Sequence, residues 1–362
     1  MSDRVQASGD SGRDFQYDQL GRLVQAASYV MTAGACWQTW EEPSGWLCDP
    51  SYKTHYATTT YTYDKVGNRT DLGAVLAPGN RLVKFNGDSL VYDADGNLTT
   101  RIRAGSPIQR LYWNSLGQLV AVWTSGADSV SFGYDGAGRR VRKWTVTLTT
   151  RYLYDGDDLL AELDGAGNRV AEYTYYPGID RPQSVRRGGQ MYYYAQDFPG
   201  NVVGLVNSSG TVTNQYRYTP WGATELAQEG VANSLRFGGR QYDSETGLYY
   251  NRARYYDPAV GRFISEDPLG LAAGINLYAF AGNDPANGRD PSGMCAYKVF
   301  IDGHDAGCSG GALLWILEAR DIEITSGPEC STRANLGNVC CRDAGLHEAA
   351  ACLVSAFPRG AL

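Results

Sequence analysis

The chain has 362 residues, of which 43% are apolar, enough for a sizeable core and for roughly two ordinary domains at about 150 residues each. Its 26 tyrosines and 44 glycines suit many short strands joined by tight turns, because aromatic rings pack on pleated faces and glycine supplies positive φ; long helices are excluded over most of the chain. The net charge is −7, and the basic clusters are the short pairs Arg139-Arg140 and Arg186-Arg187, which excludes the basic stripe that a phosphate backbone requires.

The N-terminal stretch MSDRVQASGDSGRD is polar and carries no apolar h-region, so no signal peptide is readable. The longest apolar run, Ala312–Leu317, falls far short of the roughly 20 residues of a membrane span. A soluble chain is expected, and secretion or display at the cell surface would use a specialised route.

The first copy of a repeat is YDQLGRLVQ, from Tyr17. Residues 26–60 break the rhythm and hold Trp37, Trp40, Trp46, Cys36 and Cys48. They read as an irregular insertion. It is either closed by a Cys36–Cys48 disulfide in an oxidising compartment or a plug packed by its tryptophans. The repeat resumes as YDKVGNRT from Tyr63, YDADGNLT from Tyr92, YWNSLGQLVAV from Tyr112, YDGAGRRVRK from Tyr134 and YDGDDLLAEL from Tyr154. Weaker copies start at Tyr175, Tyr194 and Tyr218, and successive anchors from Tyr92 are 20, 22, 20, 21, 19 and 24 residues apart.

Each unit reads as a strand, a turn and a return strand. An Asp with Gly shortly after it is turn chemistry: the carboxylate bonds the backbone ahead and Gly takes the left-handed conformation. One hairpin cannot bury its own face, so neighbours must stack into a long curved antiparallel sheet. The fold class is therefore an all-β solenoid or cocoon-like shell, and hairpins at about twenty-residue spacing are expected to fill 61–236. The Tyr-Asp pairs read as strand packing and turn capping, ahead of a sugar-binding aromatic surface.

From Arg236 to Met294 the pattern changes. The segment holds Gly247-Leu248-Tyr249-Tyr250, Arg254-Tyr255-Tyr256-Asp257-Pro258, Gly261-Arg262-Phe263, Asp267-Pro268-Leu269-Gly270, Asn276-Leu277-Tyr278, Asn283-Asp284-Pro285 and Asp290-Pro291-Ser292-Gly293. Asp257-Pro258 and Asp284-Pro285 read as loop punctuation, since Asp-Pro favours extended or turn backbone. Asp267 and Asp290 each sit in an Asp-Pro-x-Gly frame.

These elements closely resemble the RHS-repeat-associated core that closes the shells of bacterial RHS proteins and of toxin-complex C subunits. With the repeats, the resemblance covers roughly 17–294. It implies an aspartic-type autoprotease whose catalytic aspartates match Asp267 and Asp290, with an assisting arginine matching Arg254. It also implies a cut just after the second frame and one apolar residue, between Met294 and Cys295. Two close carboxylates do not both ionise easily, so one acts as base on a water while the other keeps a proton. The alternative for this segment is a structural plug that no longer cuts.

The tail, 295–362, shares nothing with the repeats and holds six of the eight cysteines, Cys295, Cys308, Cys330, Cys340, Cys341 and Cys352. So short a segment buries little core, which suggests disulfide staples. Ala312–Arg320 and Gly345–Phe357 read as short helices, which makes the tail a small α-containing, cysteine-rich region. A zinc site from Cys330, Cys340, Cys341 and His347 lacks a C-x2-C pair and is disfavoured. Gly307-Cys308-Ser309-Gly310-Gly311 lacks the nucleophile signature of papain-like proteases. No cofactor and no metal are expected.

The expected organisation is a repeat shell over 1–235, a core over 236–294 and a variable cargo or effector tail over 295–362. The main reading is a toxin-delivery shell that encloses its own tail and frees it by autoproteolysis. Shells of the family are usually longer, and the chain starts within a repeat, so upstream RHS or secretion-apparatus components are further expected partners. Two other readings stay open on the sequence: a cell-surface protein that holds glycans through the YD sheet, and an RHS remnant without an active effector.

Overall fold

The computed structural model describes residues 11–32, 36–38, 46–48, 52–103, 108–197 and 200–294, and five short strands between 297 and 340. Sixteen strands, from Val75–Ala77 to Thr224–Glu229, form one sheet in sequence order, each hydrogen-bonded to the strand before it, with antiparallel registers throughout. The described residues of 61–236 contain no helix. The expectation of stacked antiparallel hairpins holds.

The repeat has a common turn. In the 135–139 copy, Asp135 Oδ1 accepts from the amides of Ala137 and Arg139 at 3.0 and 2.9 Å, and the Gly138 amide donates to the Asp135 carbonyl. Gly138 has φ +81°, a conformation with little penalty only for glycine. The same Asx turn recurs at Asp18, Asp64 and Asn114. The strand register shifts by one residue beside these turns, as between Gly133 and Tyr134, the signature of a glycine bulge closing a short hairpin loop.

The aromatic residue before the turn has a second role. The Tyr134 hydroxyl donates to the Leu119 carbonyl at 2.6 Å, Tyr154 to Arg140 at 2.8 Å and Tyr218 to Val202 at 2.7 Å. Each reaches back to the start of the return strand in the preceding hairpin. In the fourth copy Trp113 takes this position, its Nε1 donating to the Leu98 carbonyl at 2.8 Å, while the expected anchor Tyr112 is exposed. The turn begins one residue later than the sequence suggested.

Residues 26–60 are more regular than expected. Ser11–Tyr17, Leu23–Thr32 and Tyr52–Thr60 form a three-stranded antiparallel sheet. The threonine-rich segment HYATTT favours extended backbone, so the ladder extends well into the supposed insertion. Within it, Cys36–Gln38 pairs with Trp46–Cys48, with Cys36 opposite Cys48 in the backbone register.

The core segment forms its own four-stranded sheet from Gln241–Asp243, Leu248–Asn251, Arg254–Asp257 and Arg262–Phe263. Its two central strands are buried at every position. Side chains alternate across a strand, and here each side finds an apolar partner. Leu248, Tyr250 and Tyr255 pack with Leu82, Phe85, Leu98 and Phe132; Tyr249 and Tyr256 pack with Tyr173, Val202, Leu205 and Tyr218. The long sheet thus covers the core sheet on both faces.

Buried ion pairs fix this packing. Arg140, 0% exposed, contacts Asp243, 1% exposed, and Lys143 Nζ lies 3.2 Å from the same carboxylate. Burial alone would raise the Asp243 carboxyl; the two cations hold it below its usual range. Asp257 is paired with Arg101 as well as receiving the Ala259 amide at 2.9 Å. It is more than loop punctuation, because a carboxylate this deep in the core requires a charged partner. Arg140→Ala would strand Asp243 beside Lys143 alone, and chemical denaturation should report a loss of about 3–5 kcal/mol.

In the tail, Tyr297–Ile301 pairs with His304–Cys308 and Ile322–Ser326, and Asn335–Leu336 pairs with Val339–Cys340. The expected helices at Ala312–Arg320 and Gly345–Phe357 lie outside the described residues. Among the described residues no helix is long and apolar enough to cross a membrane.

Candidate functional site

Arg254 stands at the start of the third core strand, directly opposite Asn251 across a two-residue turn. Its guanidinium lies over the Phe263 ring, 3.6 Å from the centroid. Arg254, Asp267 and Asp290 are 2%, 5% and 2% exposed. One nitrogen, Arg254 Nη2, lies 2.7 Å from Asp267 Oδ2 and 3.2 Å from Asp290 Oδ2. Arg254 Nη1 donates to the Leu277 carbonyl at 2.8 Å, and its Nε donates to the Gly293 carbonyl. Three residues far apart in sequence, named from the two Asp-Pro-x-Gly frames and the Arg-Tyr-Tyr-Asp-Pro element, thus meet at one guanidinium.

The two aspartates are held differently. Asp267 sits in a turn in which its Oδ1 accepts the Leu269 amide at 2.9 Å and its own amide donates to the Leu277 carbonyl. Asp290 Oδ1 accepts the Gly293 amide at 2.9 Å and the Ser292 hydroxyl at 3.3 Å. The chain from 290 to 294 therefore curls around the Asp290 carboxylate. Met294 follows at once, its amide donating to Ser292 Oγ at 3.1 Å. Cys295 lies outside the described residues.

Burial raises the Asp267 carboxyl above its usual range. Arg254 and the Leu269 amide pull it back, and the Asp290 charge adds a smaller upward push. Burial also lowers the Arg254 guanidinium. Both shifts weaken the charged forms, as expected for ions removed from water. The like-charge repulsion between the two carboxylates is present, yet desolvation outweighs it.

Several members of the site have no role assigned by the sequence, although Phe263 and Leu277 fall within the motif elements named above. Phe263 beneath the guanidinium, the Leu277 carbonyl and Asn251, whose Nδ2 donates to the Asp290 carbonyl at 3.1 Å, are brought in by the fold. Arg252 does similar work at the rim, bonding Pro291 O and both oxygens of Asp180, at 2.9 and 3.0 Å. Asp284 stays outside the site and caps a local turn with Asn287. Among the described residues no cluster of His, Cys, Asp and Glu could hold a metal ion.

This architecture has relatives. A tRNA3(Ser)-specific nuclease WapA from Bacillus spizizenii is 35% identical over 268 residues, covering 68% of this chain and 11% of the relative. A double-stranded DNA deaminase toxin A from Burkholderia cenocepacia is 29% identical over 329 residues, covering 79% of this chain and 22% of the relative. The toxin subunit YenC1 of Yersinia entomophaga is 27% identical over 316 residues, covering 78% and 29%. In a crystal structure of TcdB2-TccC3-TEV, a chain superposes with a TM-score of 0.57 at 26% identity, covering 78% of this chain and 15% of that one. The chain spans less than a third of the length of each of these relatives. The family model described as Teneurin YD-shell matches residues 12–286, and the chain belongs to that family of RHS/YD-repeat proteins.

Proposed function

We propose that this chain is the closing part of a toxin-delivery shell that encloses its own C-terminal segment and frees it by cutting after Met294. In this reading 1–235 is shell, 236–294 is the self-cleaving core and 295–362 is cargo. The observation that carries it is the single guanidinium that holds both Asp267 and Asp290 and also binds the Gly293 carbonyl, one residue before the cut. Relatives whose names describe nuclease, deaminase and toxin-subunit activities support the delivery part of the reading.

The chemistry is hydrolysis. Asp290, which accepts hydrogen bonds from Arg254, Gly293 and Ser292, is the base that takes a proton from a water. The water oxygen bonds the Met294 carbonyl carbon. Asp267, with its carboxyl pushed upward by burial, carries the proton that reaches the Cys295 nitrogen as the C–N bond breaks. The products are a Met294 carboxylate and a Cys295 amine. The role of Arg254 is orientation: it fixes the last carbonyl before the reacting peptide and separates two carboxylates that would otherwise repel.

The test is the intact mass of the purified full chain under denaturing conditions. Two fragments are expected, one ending at Met294 and one beginning at Cys295. They stay together in native buffer if the shell encloses the tail. A single uncut chain would overturn the reading. Unboiled samples at neutral pH serve as the control, because Asp-Pro bonds break in hot acid without catalysis.

A further inference from the structure

We infer that Asn251 positions the attacking water of the self-cleavage reaction, holding it through Oδ1 in a small chamber shared with Asp290. The inference rests on the self-cleavage reading above and assigns it a further residue.

Asn251 ends the second core strand and is 2% exposed. Its Nδ2 is engaged by the Asp290 carbonyl at 3.1 Å. Its Oδ1 is buried and receives no hydrogen bond from any described residue. An amide oxygen left so is destabilising, because burial removes the water it would otherwise bond, and an unsatisfied polar atom in a native core calls for a partner. A leucine of similar volume would avoid the cost. The amide is therefore placed for something that approaches it.

Beside it lies a cavity of about 10 Å³, walled by Tyr249, Asn251, Tyr256, Phe280, Asp290 and Pro291 among others. That is the space of a single water, which needs roughly 10–15 Å³ and two to four polar partners. The tyrosine hydroxyls are already engaged, Tyr249 donating to the Gly222 carbonyl and Tyr256 to the Trp221 carbonyl. Asn201 Oδ1, another acceptor on the wall, is occupied by the Gly238 amide at 2.8 Å. Among the buried side-chain oxygens of the described wall residues, Asn251 Oδ1 is left open. A water there gives one hydrogen to Asn251 and the other to Asp290. Its lone pair is then fixed in direction, and Asp290 stands ready to take the proton as the oxygen bonds the Met294 carbonyl.

The experiment refolds the full chain from denaturant and follows the cut with time on denaturing gels. Asn251→Leu keeps the volume and removes the acceptor; it should slow the cut by about 100-fold, the scale of a misplaced reactant. Asn251→Asp keeps an acceptor at Oδ1 and loses the Nδ2 donor; it should cut at least about tenfold faster than Asn251→Leu, because the acceptor is the part that handles the water. Equal rates for the two would assign Asn251 to the Asp290 carbonyl alone and overturn the inference. So would an Asn251→Leu variant that cuts like the wild type. If Asn251→Leu does not recover the wild-type tryptophan emission, Asn251→Ala replaces it under the same criterion. In heavy-oxygen water the Met294 carboxylate of the wild-type fragment should gain one labelled atom; a cut without label would overturn the water itself. A wild-type chain that never cuts would instead sink the self-cleavage reading, a result distinct from every outcome above.

Discussion

Asp267→Asn and Asp290→Asn are each expected to leave the purified chain whole. Asparagine has nearly the shape of aspartate, so the contacts to Phe263 and Leu277 survive around Arg254. What disappears is the ability to take or give a proton. General acid–base catalysis by one side chain is worth about 10²–10⁴ in rate, and both roles are needed for one cut. The two variants should differ in stability. Either one leaves Arg254 with a single carboxylate and replaces a charged turn acceptor by an amide oxygen; Asp290 accepts two turn bonds, from Gly293 and Ser292, and Asp267 one, from Leu269, so Asp290→Asn should loosen its turn more. The pH response follows from the upward shift at Asp267. A carboxyl with a raised folded pKa stabilises the folded chain in acid and loses that contribution as pH rises through the raised value. In the proposed reaction the protonated form that donates to the leaving nitrogen is lost over the same window. Cleavage during refolding should therefore slow on the alkaline side of the Asp267 titration, and Asp267→Asn should remove that dependence along with the cut. If both Asn variants are cut at the wild-type rate, the core is a closure without catalysis.

The repeats were legible because each carries its own turn chemistry. Tyr134, Asp135 and Gly138 are local in sequence, and so are their turn bonds, although the Tyr134 bond to Leu119 already spans 15 residues. The site was legible differently. Asp267, Asp290 and Arg254 were named through family resemblance, and nothing in their spacing shows that one nitrogen touches both carboxylates. That contact depends on the hairpin at 251–254 and on the return of 290–294 against it. Asp257 shows the limit. Asp-Pro reads as a turn, and the turn is there, but its ion pair with Arg101 joins positions 156 residues apart, which no local pattern encodes. The regular strands within 26–60 flank a tryptophan- and cysteine-bearing segment, and no Tyr-Asp-Gly pattern in that stretch marks the ladder on either side.

Gly293→Ala should slow the cut by roughly 100-fold or more without touching a titrating group. Gly293 has φ +69°, which strains any residue with a Cβ. Space is the larger obstacle. A Cβ there would collide with the Asn251 carbonyl oxygen and lie 3.0 Å from the Arg254 amide nitrogen. Both are backbone atoms of the 251–254 hairpin, so no side chain can swing aside to make room. The chain at 292–294 must lift instead. That breaks the bond from Arg254 Nε to the Gly293 carbonyl and the bond from the Gly293 amide to Asp290 Oδ1. In the proposed reaction the Met294 carbonyl is then displaced relative to the two aspartates, and a displacement of about 1 Å is enough to cost roughly 100-fold. Gly282→Ala separates strain from collision. Gly282 has φ +62°, but a Cβ on it would meet nothing within 4 Å, so alanine there should cost about 1 kcal/mol and leave the cut intact. The comparison needs only the cleavage time course and a denaturation curve for each variant. A Gly293→Ala chain that cuts as fast as Gly282→Ala would show that the close seat of 293 on the hairpin has no part in placing the scissile peptide.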